Sequence, residues 1–236
     1  MISSERPHVA TAGREIGYGR TMTVEVFFDF ICPWCLIGKR NLEAAISRFA
    51  ALRPDVRLKV LWRSHQLLPS MPLAGMPYQA FYLDRLGSHE AVAARRSQVR
   101  RAGIEAGVEF SFEQIEVMPN TAAAHDLVAY AASRGNEARH ALLIERLFSA
   151  YFMEGKDIGD WRVLERLGVE CGLEQQGVVN HLAESRRMAN PTARLVPPAD
   201  HHSGGVPHFV FDASCALSGA HSPGAIIEAM MLAARD

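Results

Sequence analysis

The sequence has few cysteines and no long hydrophobic run. Four cysteines among 236 residues are too few for the disulfide framework of a small secreted domain. The longest apolar runs fall well short of the roughly 20 residues that a helix needs to cross a bilayer, and the N-terminal segment lacks the apolar core of a secretory signal. We therefore expect a cytoplasmic protein without a membrane-spanning segment.

An excess of charge of either sign is also absent. The sequence has 25 Lys and Arg residues and 26 Asp and Glu residues, which gives a formal net charge of −1. Nucleic acids and anionic membranes attract proteins through a strong positive field, so we expect neither as a partner. With 48% hydrophobic and 22% charged residues, the composition is typical of a globular protein and indicates no particular oligomeric state.

The apolar pattern predicts an α/β domain whose two halves lie at opposite ends of the chain. In the first half, a helix that ends at Arg53-Pro54 joins two strands, which predicts a right-handed βαβ unit with parallel strands. In the second half, a β-hairpin is followed by a helix that starts at Ser222-Pro223. The predicted strands cover residues 24–30, 56–62, 206–212 and 215–219.

Strand patterns disappear between the two halves, and helical patterns replace them. The predicted helices lie at about 77–86, 89–106, 121–134, 136–152, 160–170 and 174–188. Because both halves must share one sheet, the middle of the chain is interpreted as an all-helical insertion at 63–196. The predicted βαβ…ββα domain then comprises 22–62 and 197–236, and the polar residues 1–21 are predicted to be a disordered tail.

The motif Cys32-Pro33-Trp34-Cys35 lies where the first predicted strand gives way to a helix. A thiol in the first helical turn faces unpaired backbone N–H groups and the positive end of the helix dipole, which favour the thiolate. Two intervening residues in a helical turn place the second sulfur close enough to displace the first from a mixed disulfide. We therefore predict that Cys32 attacks and that Cys35 resolves.

Half of a structural zinc site is the alternative interpretation of a single CxxC motif. Such a site needs four ligands in tetrahedral reach. The sequence has no second CxxC motif, and His201-His202 does not have the spacing of a ligand pair. We therefore predict no metal site, and we expect the isolated Cys171 and Cys215 to be small buried hydrophobic residues.

The segment Gly205-Val206-Pro207 precedes the third predicted strand. Proline is excluded from the centre of a sheet, so Pro207 should stand at the beginning of its strand. A single X-Pro bond is cis in only about 5% of cases. The Val206–Pro207 bond, however, lies in a chain with the βαβ…ββα order and a CxxC motif after the first strand, and we therefore predict that it is cis and faces Cys32. The Val206 backbone would then be free to pair with an extended substrate.

Several segments together resemble the DsbA-like thioredoxin-fold oxidoreductases, specifically their FrnE-type branch, which is related to the 2-hydroxychromene-2-carboxylate isomerases. These segments are VEVFFDFICPWCLIGKRNLEAAI (24–46), WRSHQLLP (62–69), MPNTAAAH (118–125), YFMEGKDIGD (151–160), GVPHFVFD (205–212) and SGAHSP (218–223). The resemblance spans about residues 22–235. It implies a thioredoxin-like domain with a large helical insertion, and dithiol–disulfide exchange as the activity.

The resemblance also implies substrate-binding residues. Asn120 and His125 match a position on the insertion near the CxxC motif, which implies substrate contact or proton transfer, and we predict that they bind substrate together with Trp34, Val206 and Pro207. The alternative is a capping Asn and a solvated or buried His. Two departures from the usual pattern concern substrate choice. His65 stands where an aromatic residue is common, and a longer loop, VPPADHHSGG, precedes Val206.

Three charged residues near the motif have two interpretations each. Asp29 is either a proton acceptor for Cys35 or a carboxylate that bonds to backbone at the end of a strand. Lys39 and Arg40 either stabilise the cysteine thiolate or belong to a solvated helix face.

The predicted function is thiol–disulfide oxidoreduction on protein or low-molecular-weight disulfides. No bound cofactor is expected, and glutathione is a candidate co-substrate. The alternative is a glutathione-dependent isomerase of the 2-hydroxychromene-2-carboxylate type. That reaction needs one activated group and no resolving thiol, and the related isomerases usually carry serine in place of the first cysteine. The presence of both Cys32 and Cys35 favours redox chemistry.

Overall fold

A computed structural model describes residues 19–187 and 205–235. The strands are β1 (Arg20–Phe28), β2 (Val56–Ser64), β3 (Met76–Pro77), β4 (Val117–Met118), β5 (His208–Phe211) and β6 (Cys215–Ser218). The α-helices are α1 (Pro33–Leu52), α2 (Tyr78–Leu86), α3 (His89–Glu105), α4 (Ala122–Ser133), α5 (Glu137–Phe152), α6 (Trp161–Glu170), α7 (Gln175–Arg187) and α8 (Pro223–Ala233), and a short 3-10 helix covers Phe112–Gln114.

Both ends of the described chain contribute strands to one mixed sheet with the order β2-β1-β5-β6. Strand β1 runs parallel to β2 and antiparallel to β5, and β5 and β6 form an antiparallel hairpin. The βαβ…ββα order predicted from the sequence is thus confirmed, and the long segment between β2 and β5 is mostly helical.

Helices α1 and α8 pack on one face of this sheet. Alternation along β1 places Met22, Val24 and Val26 on that face, where they are fully or almost fully buried. The same cluster includes Phe209 and Phe211 of β5. It is completed by Leu42, Ala45 and Phe49 of α1 and by Ile226, Met230 and Ala233 of α8.

A second buried cluster lies within the helical segment and extends to the start of α1. Its members from the insertion include Leu127, Leu143, Leu147, Phe148, Leu164 and Val178. Phe28, Phe30, Leu36 and Ile37 belong to the same cluster, although they stand in or next to the βαβ unit. The first turns of α1 are therefore held by the insertion, and its later turns by the sheet.

An ion-pair cluster adds a polar link between α1 and the insertion. The ammonium group of Lys39, 3% exposed, lies 2.6 Å from carboxylate oxygens of both Glu43 and Glu145. Arg40 pairs with Glu145 as well. Because Glu145 belongs to α5, these contacts fix α1 against the helical segment.

The insertion is not all-helical, contrary to the prediction. Residues Met76–Pro77 and Val117–Met118 form a two-stranded antiparallel ladder, which the N–H of Tyr78 extends by donating to the carbonyl of Glu116 at 2.8 Å. Two residues per strand are too short for an alternating pattern, so the sequence carries no periodic signal for this ladder.

The predicted tail extends too far at its C-terminal end, because Arg20 and Thr21 belong to β1. The Arg20 guanidinium pairs with Asp212 at 2.9 Å and donates to the carbonyl of Ala233 at 3.1 Å. The other Asp212 oxygen accepts from the N–H of Thr23 at 2.6 Å. The start of β1 is thus held by polar contacts with distant residues. Its own sequence has no apolar pattern that would predict a strand.

Part of the predicted organisation falls outside the described residues. This applies to residues 1–18 of the tail, to 188–204 with His201-His202, and to Asp236. The other strand ends differ by a few residues, since β1 ends at Phe28 and β2 continues to Ser64. No described helix combines the length and apolar character that crossing a membrane requires.

Gly38 lies at the point where α1 approaches the start of β5. A Cβ atom at this position would lie 3.0 Å from Cγ of Pro207 and 3.1 Å from Cζ of Phe209. We predict that Gly38→Val lowers the free energy of unfolding by about 1 to 3 kcal/mol, because neither ring has room to move. Urea denaturation measures this. Gly224→Val is the matched control, since the nearest atom to its Cβ is the Ser222 hydroxyl at 3.9 Å. An equal effect of both substitutions would contradict the proposed close packing.

Candidate active site

Cys32 occupies the N-cap position of α1, with Pro33 in the first helical turn. The N–H of Cys32 donates to the carbonyl of Asp29 at 3.1 Å, and the N–H of Cys35 donates to the carbonyl of Cys32 at 3.0 Å. Both thiols are free, and the two residues are 6% and 2% exposed. The more exposed of the two cysteines is thus the one at the helix terminus, where partial positive charge is concentrated.

Cys35 lies behind Cys32 and is the more protected thiol. Burial raises the pKa of the Cys35 thiol well above its usual value, and the hydrogen bond to Cys32 and the charges of Cys32 and Asp29 act in the same direction. A backbone hydrogen bond from Asp29 opposes them in part. Cys35 therefore stays protonated at neutral pH while Cys32 is unmodified.

Val206 and Pro207 lie beside the first cysteine. The Cys32 thiol donates to the carbonyl of Val206 at 3.4 Å, and the Val206–Pro207 peptide bond is cis. The carbonyl of Pro207 accepts from the N–H of Gly219 at 2.8 Å, which anchors this segment to the end of the hairpin. The structure thus brings together Cys32, Cys35, Val206 and Pro207.

An open cleft of about 630 Å³ has Cys32 in its wall. On the side of the βαβ unit, Pro33, Trp34 and Val206 line it. On the opposite side it is bounded by α2 and α3, which supply aromatic and aliphatic side chains together with three arginines. Trp34 is half-buried and the guanidinium carbon of Arg95 lies 5.5 Å from its ring centroid. Cys32 thus borders the space that this cleft encloses.

A buried carboxylate and imidazole lie behind the cysteines. Oδ1 of Asp29 is 3.1 Å from Nε2 of His125, and both side chains are fully buried. Oδ2 of Asp29 accepts from the N–H of Leu67 at 2.7 Å. The His125 ring packs against Phe28 and Phe30, with centroids 5.2 and 4.9 Å away. Its Nδ1 is buried without a hydrogen-bond partner among the described residues.

A family model for the DSBA-like thioredoxin domain matches residues 23–230. The chain belongs to this family. The resemblance inferred from the sequence is thereby confirmed, and so is the thioredoxin-like fold with a helical insertion.

The chain is also similar to individual proteins in sequence or in structure. This DsbA-like chain is 27% identical to the uncharacterised protein YwbO of Bacillus subtilis over 156 residues, which are 65% of this chain and 68% of YwbO. A probable DsbA oxidoreductase from Streptomyces coelicolor superposes with a TM-score of 0.75 at 27% identity, with 91% of each chain covered. A 2-hydroxychromene-2-carboxylate isomerase shares the fold, with a TM-score of 0.59 at 16% identity over 90% of this chain and 96% of that one.

Asn120 lies away from the cysteine cleft of this DsbA-like protein. Its Oδ1 accepts from Gln66 and from the N–H of Ala122, at 3.0 and 2.9 Å, and its Nδ2 donates to the carbonyl of Met71 at 2.5 Å. It lines a separate cavity of about 440 Å³ beside Trp161. These hydrogen bonds connect the segment after β2 with the start of α4. A direct substrate contact stays a prediction.

Lys39 and Arg40 are engaged elsewhere. Both form ion pairs with Glu145, so their charges are partly neutralised by α5. Cys171, buried within the insertion, has a thiol whose pKa burial raises to about 11. Cys215 lies on β6 and is half-buried.

Sequence reasoning missed the far wall of the cleft. Tyr78, Phe81 and Tyr82 of α2 and the arginines of α3 line it, but the sequence analysis assigned no functional residue to these two helices. A signal was present in the sequence AARRSQVRR (93–101), which places four arginines on one short helix. Without the fold, nothing connected that helix with the CPWC motif.

The described residues contain no group of three or more His, Cys, Asp and Glu side chains that could hold a metal ion. Because His201-His202 lies outside them, the absence of a metal site stays a prediction.

We predict that an alkylating reagent labels Cys32 ahead of Cys35 and Cys171. Cys32 lines the cleft at a helix N-terminus, whereas the raised pKa of the other two thiols leaves few of them ionised. Labelling of Cys171 should rise only as the pH approaches its pKa of about 11. Mass spectrometry of iodoacetamide-treated protein at about pH 6 measures the order, with half-buried Cys215 as a reference. Equal rates at Cys32 and Cys35 would refute it.

We predict that the Asp29–His125 contact is coupled energetically. His125→Phe retains the aromatic packing but leaves a buried Asp29 oxygen unpaired, so it should lower the free energy of unfolding by about 1 to 3 kcal/mol. Asp29→Asn should lower it too, and the double variant should lose less than the sum of both, because the contact is already gone. Urea denaturation of all four proteins tests this cycle. Strict additivity would show that the two groups do not interact.

Proposed function

We propose that this protein exchanges dithiol and disulfide through Cys32 and Cys35 with protein or low-molecular-weight disulfides. The observation that carries the proposal is the placement of the two thiols. Cys32 stands at the start of α1 in the wall of an open cleft, and Cys35 is hydrogen-bonded to it from the protected side. This is the arrangement that a nucleophilic thiol and a resolving thiol require.

The exchange proceeds in two displacements. The thiolate of Cys32 attacks one sulfur of a substrate disulfide, so that a Cys32–substrate disulfide forms and the other half leaves as a thiolate that takes up a proton. Cys35 then loses its proton and attacks the Cys32 sulfur, and the remaining half is released as a thiol. The substrate gains two electrons and two protons, and the protein retains an internal Cys32–Cys35 disulfide. The reverse sequence forms a disulfide in a dithiol substrate.

Residues around the two cysteines contribute to these two reaction steps. Val206 and Trp34 line the cleft at Cys32. This supports them as residues that hold the substrate on either side of the sulfur that Cys32 attacks. Asp29 exerts its charge on the Cys35 thiol, and its backbone donates to that thiol. This supports Asp29 as a group that governs the proton of Cys35, with His125 positioning its carboxylate. Asp29 also bonds to the backbone at Leu67, so both interpretations of this residue find support.

Redox exchange is favoured over the isomerase alternative. An isomerase of the related type needs one activated group, whereas here a second thiol is buried directly against the first. Glutathione stays a candidate co-substrate, because a low-molecular-weight thiol is able to return the disulfide form to the dithiol. The cytoplasmic location and the absence of nucleic-acid and membrane partners stay predictions.

We predict that Cys35→Ser accumulates a mixed disulfide when the protein is treated with glutathione disulfide. Cys32 still attacks, but the thiol that would displace glutathione is gone. Intact-mass spectrometry should show one glutathione attached at Cys32. Cys32→Ser should accumulate far less, because the protected Cys35 thiol is a poor nucleophile.

Two further results decide between interpretations. Cys171→Ala should exchange disulfides within a few-fold of the unaltered protein, since Cys171 lies buried in the insertion away from the cleft. If Cys32→Ser carried the mixed disulfide instead, the roles of the two cysteines would be reversed. If neither variant formed one, the proposed function would be wrong.

A further inference from the structure

The wall of the cleft that faces Cys32 is cationic. Arg85 of α2 and Arg95 and Arg96 of α3 line it, and no Asp or Glu does so among the described residues. The net charge of the whole sequence is −1, so a cleft lined by three arginines is a local feature and not a consequence of composition.

These three arginines have no carboxylate within 4.0 Å in the described part of the chain, where ion pairs are common elsewhere. The neighbouring Arg100 pairs with Glu113, so the acidic group next to the cleft is already engaged. Arg95 donates to the amide oxygen of Gln98, and Arg96 donates to that of Gln79. The guanidinium groups of Arg95 and Arg96 thus have neutral hydrogen-bond partners, and the Glu113 carboxylate acts on Arg96 only through its charge.

Aromatic rings hold two of the guanidinium groups at the cleft. The guanidinium carbon of Arg95 lies 5.5 Å from the ring centroid of Trp34, and that of Arg96 lies 5.4 Å from the ring centroid of Tyr78. The Nε of Arg96 is buried and has no hydrogen-bond partner among the described residues.

The arginines and the reactive sulfur face the same space. Tyr82, between them on α2, interacts electrostatically with Cys32 and with each of the three guanidinium groups. A molecule held by the arginines is therefore within reach of the thiol. The volume of about 630 Å³ lies in the range of roughly 300 to 1,000 Å³ that small-molecule sites occupy.

We propose that the cleft selects low-molecular-weight disulfides that carry carboxylates, which Arg85, Arg95 and Arg96 bind while Cys32 attacks the sulfur. This inference rests on the proposed function, because it specifies the substrate class of the same site. The guanidinium fork accommodates the two oxygens of a carboxylate, and a cleft of this charge disfavours a cationic disulfide.

Three small disulfides of different charge test the proposal. Dithiodiglycolate carries a carboxylate on each half, hydroxyethyl disulfide is neutral, and cystamine carries an ammonium group on each half. The oxidation rate of the reduced protein is followed by intrinsic fluorescence or by quenched mass spectrometry. Relative to the intrinsic reactivity of each compound with dithiothreitol, we expect the anionic disulfide to react roughly tenfold faster than the neutral one, and cystamine more slowly.

Substitutions of the cleft arginines should remove this preference. In Arg85→Gln/Arg95→Gln/Arg96→Gln, the anionic and neutral disulfides should react at similar corrected rates. The double variant Arg85→Gln/Arg95→Gln changes only exposed side chains and should lose part of the preference without a loss of stability. Arg95→Lys/Arg96→Lys should retain much of it, since the charge is kept. Arg101→Gln is the matched control, because Arg101 lies on α3 and does not line the cleft.

Salt provides an independent readout. Raising the ionic strength from about 0.02 to about 0.5 M shortens the screening length several-fold, so the rate with dithiodiglycolate should fall and that with hydroxyethyl disulfide should not. Equal corrected rates for all three compounds with the unaltered protein would overturn the proposal and leave the proposed function standing. No reaction with any of them would overturn both.

A further experiment with peptides distinguishes a small-molecule substrate from an acidic protein segment. A cystine peptide with acidic flanking residues is compared with one that has neutral flanks. If the acidic peptide is preferred and dithiodiglycolate is not, the cleft binds a protein segment, and the small-molecule proposal is wrong.

Discussion

The antiparallel ladder between β1 and β5 creates the site. Cys32 and Val206 are 174 residues apart in sequence, and this ladder brings them within a hydrogen bond. In its register, Phe27 pairs with His208, so the chain just beyond the end of β1 meets the chain just before β5. A shift of the register by two residues would retain the buried faces of both strands but would separate Cys32 from Val206. The close approach of Phe209 and Pro207 to Gly38 of α1 leaves no room for such a shift.

Asp29 connects three parts of the chain at one point behind the thiols. Its carbonyl accepts from Cys32, one carboxylate oxygen accepts from Leu67 after β2, and the other contacts His125 of α4. A carboxylate that is completely buried requires such partners. The same contacts place a negative charge near Cys35, which opposes the ionisation of that thiol. Structural support and control of the resolving thiol thus come from one residue.

The sequence predicted the helices of the insertion closely, because residues that favour helix ends stand at several of their boundaries. Asp160 caps α6 by accepting from the N–H groups of Arg162 and Val163, and Gly87 ends α2 with a φ of 83°. Asp is a preferred residue type at a helix start and Gly at a helix end. Thr121 stands at the N-cap position of α4, but its side chain makes no capping bond, and Asn120 accepts from the N–H of Ala122 instead. Both residues suit a cap, and the choice between them depends on contacts with Gln66 and Met71.

Features that depend on distant segments were beyond sequence reasoning. The CPWC motif and Pro207 were identifiable because their chemistry is tied to local sequence, whereas the role of Lys39 depends on Glu145, 106 residues away. The position of the cleft arginines likewise depends on distant segments. Their helix is recognisable from sequence, but whether its charges face solvent or a reactive thiol is decided by how α3 packs near α1.

The sharing of α1 between two buried clusters has a consequence for protein engineering. Phe28, Phe30, Leu36 and Ile37 are covered by side chains of the insertion. A minimal domain made by joining β2 directly to β5 would leave these residues as a contiguous apolar surface next to the thiols, and such a surface promotes aggregation. The insertion is therefore an integral part of the folding unit, and transplanting the CPWC centre to another scaffold requires a substitute for the cover that it provides.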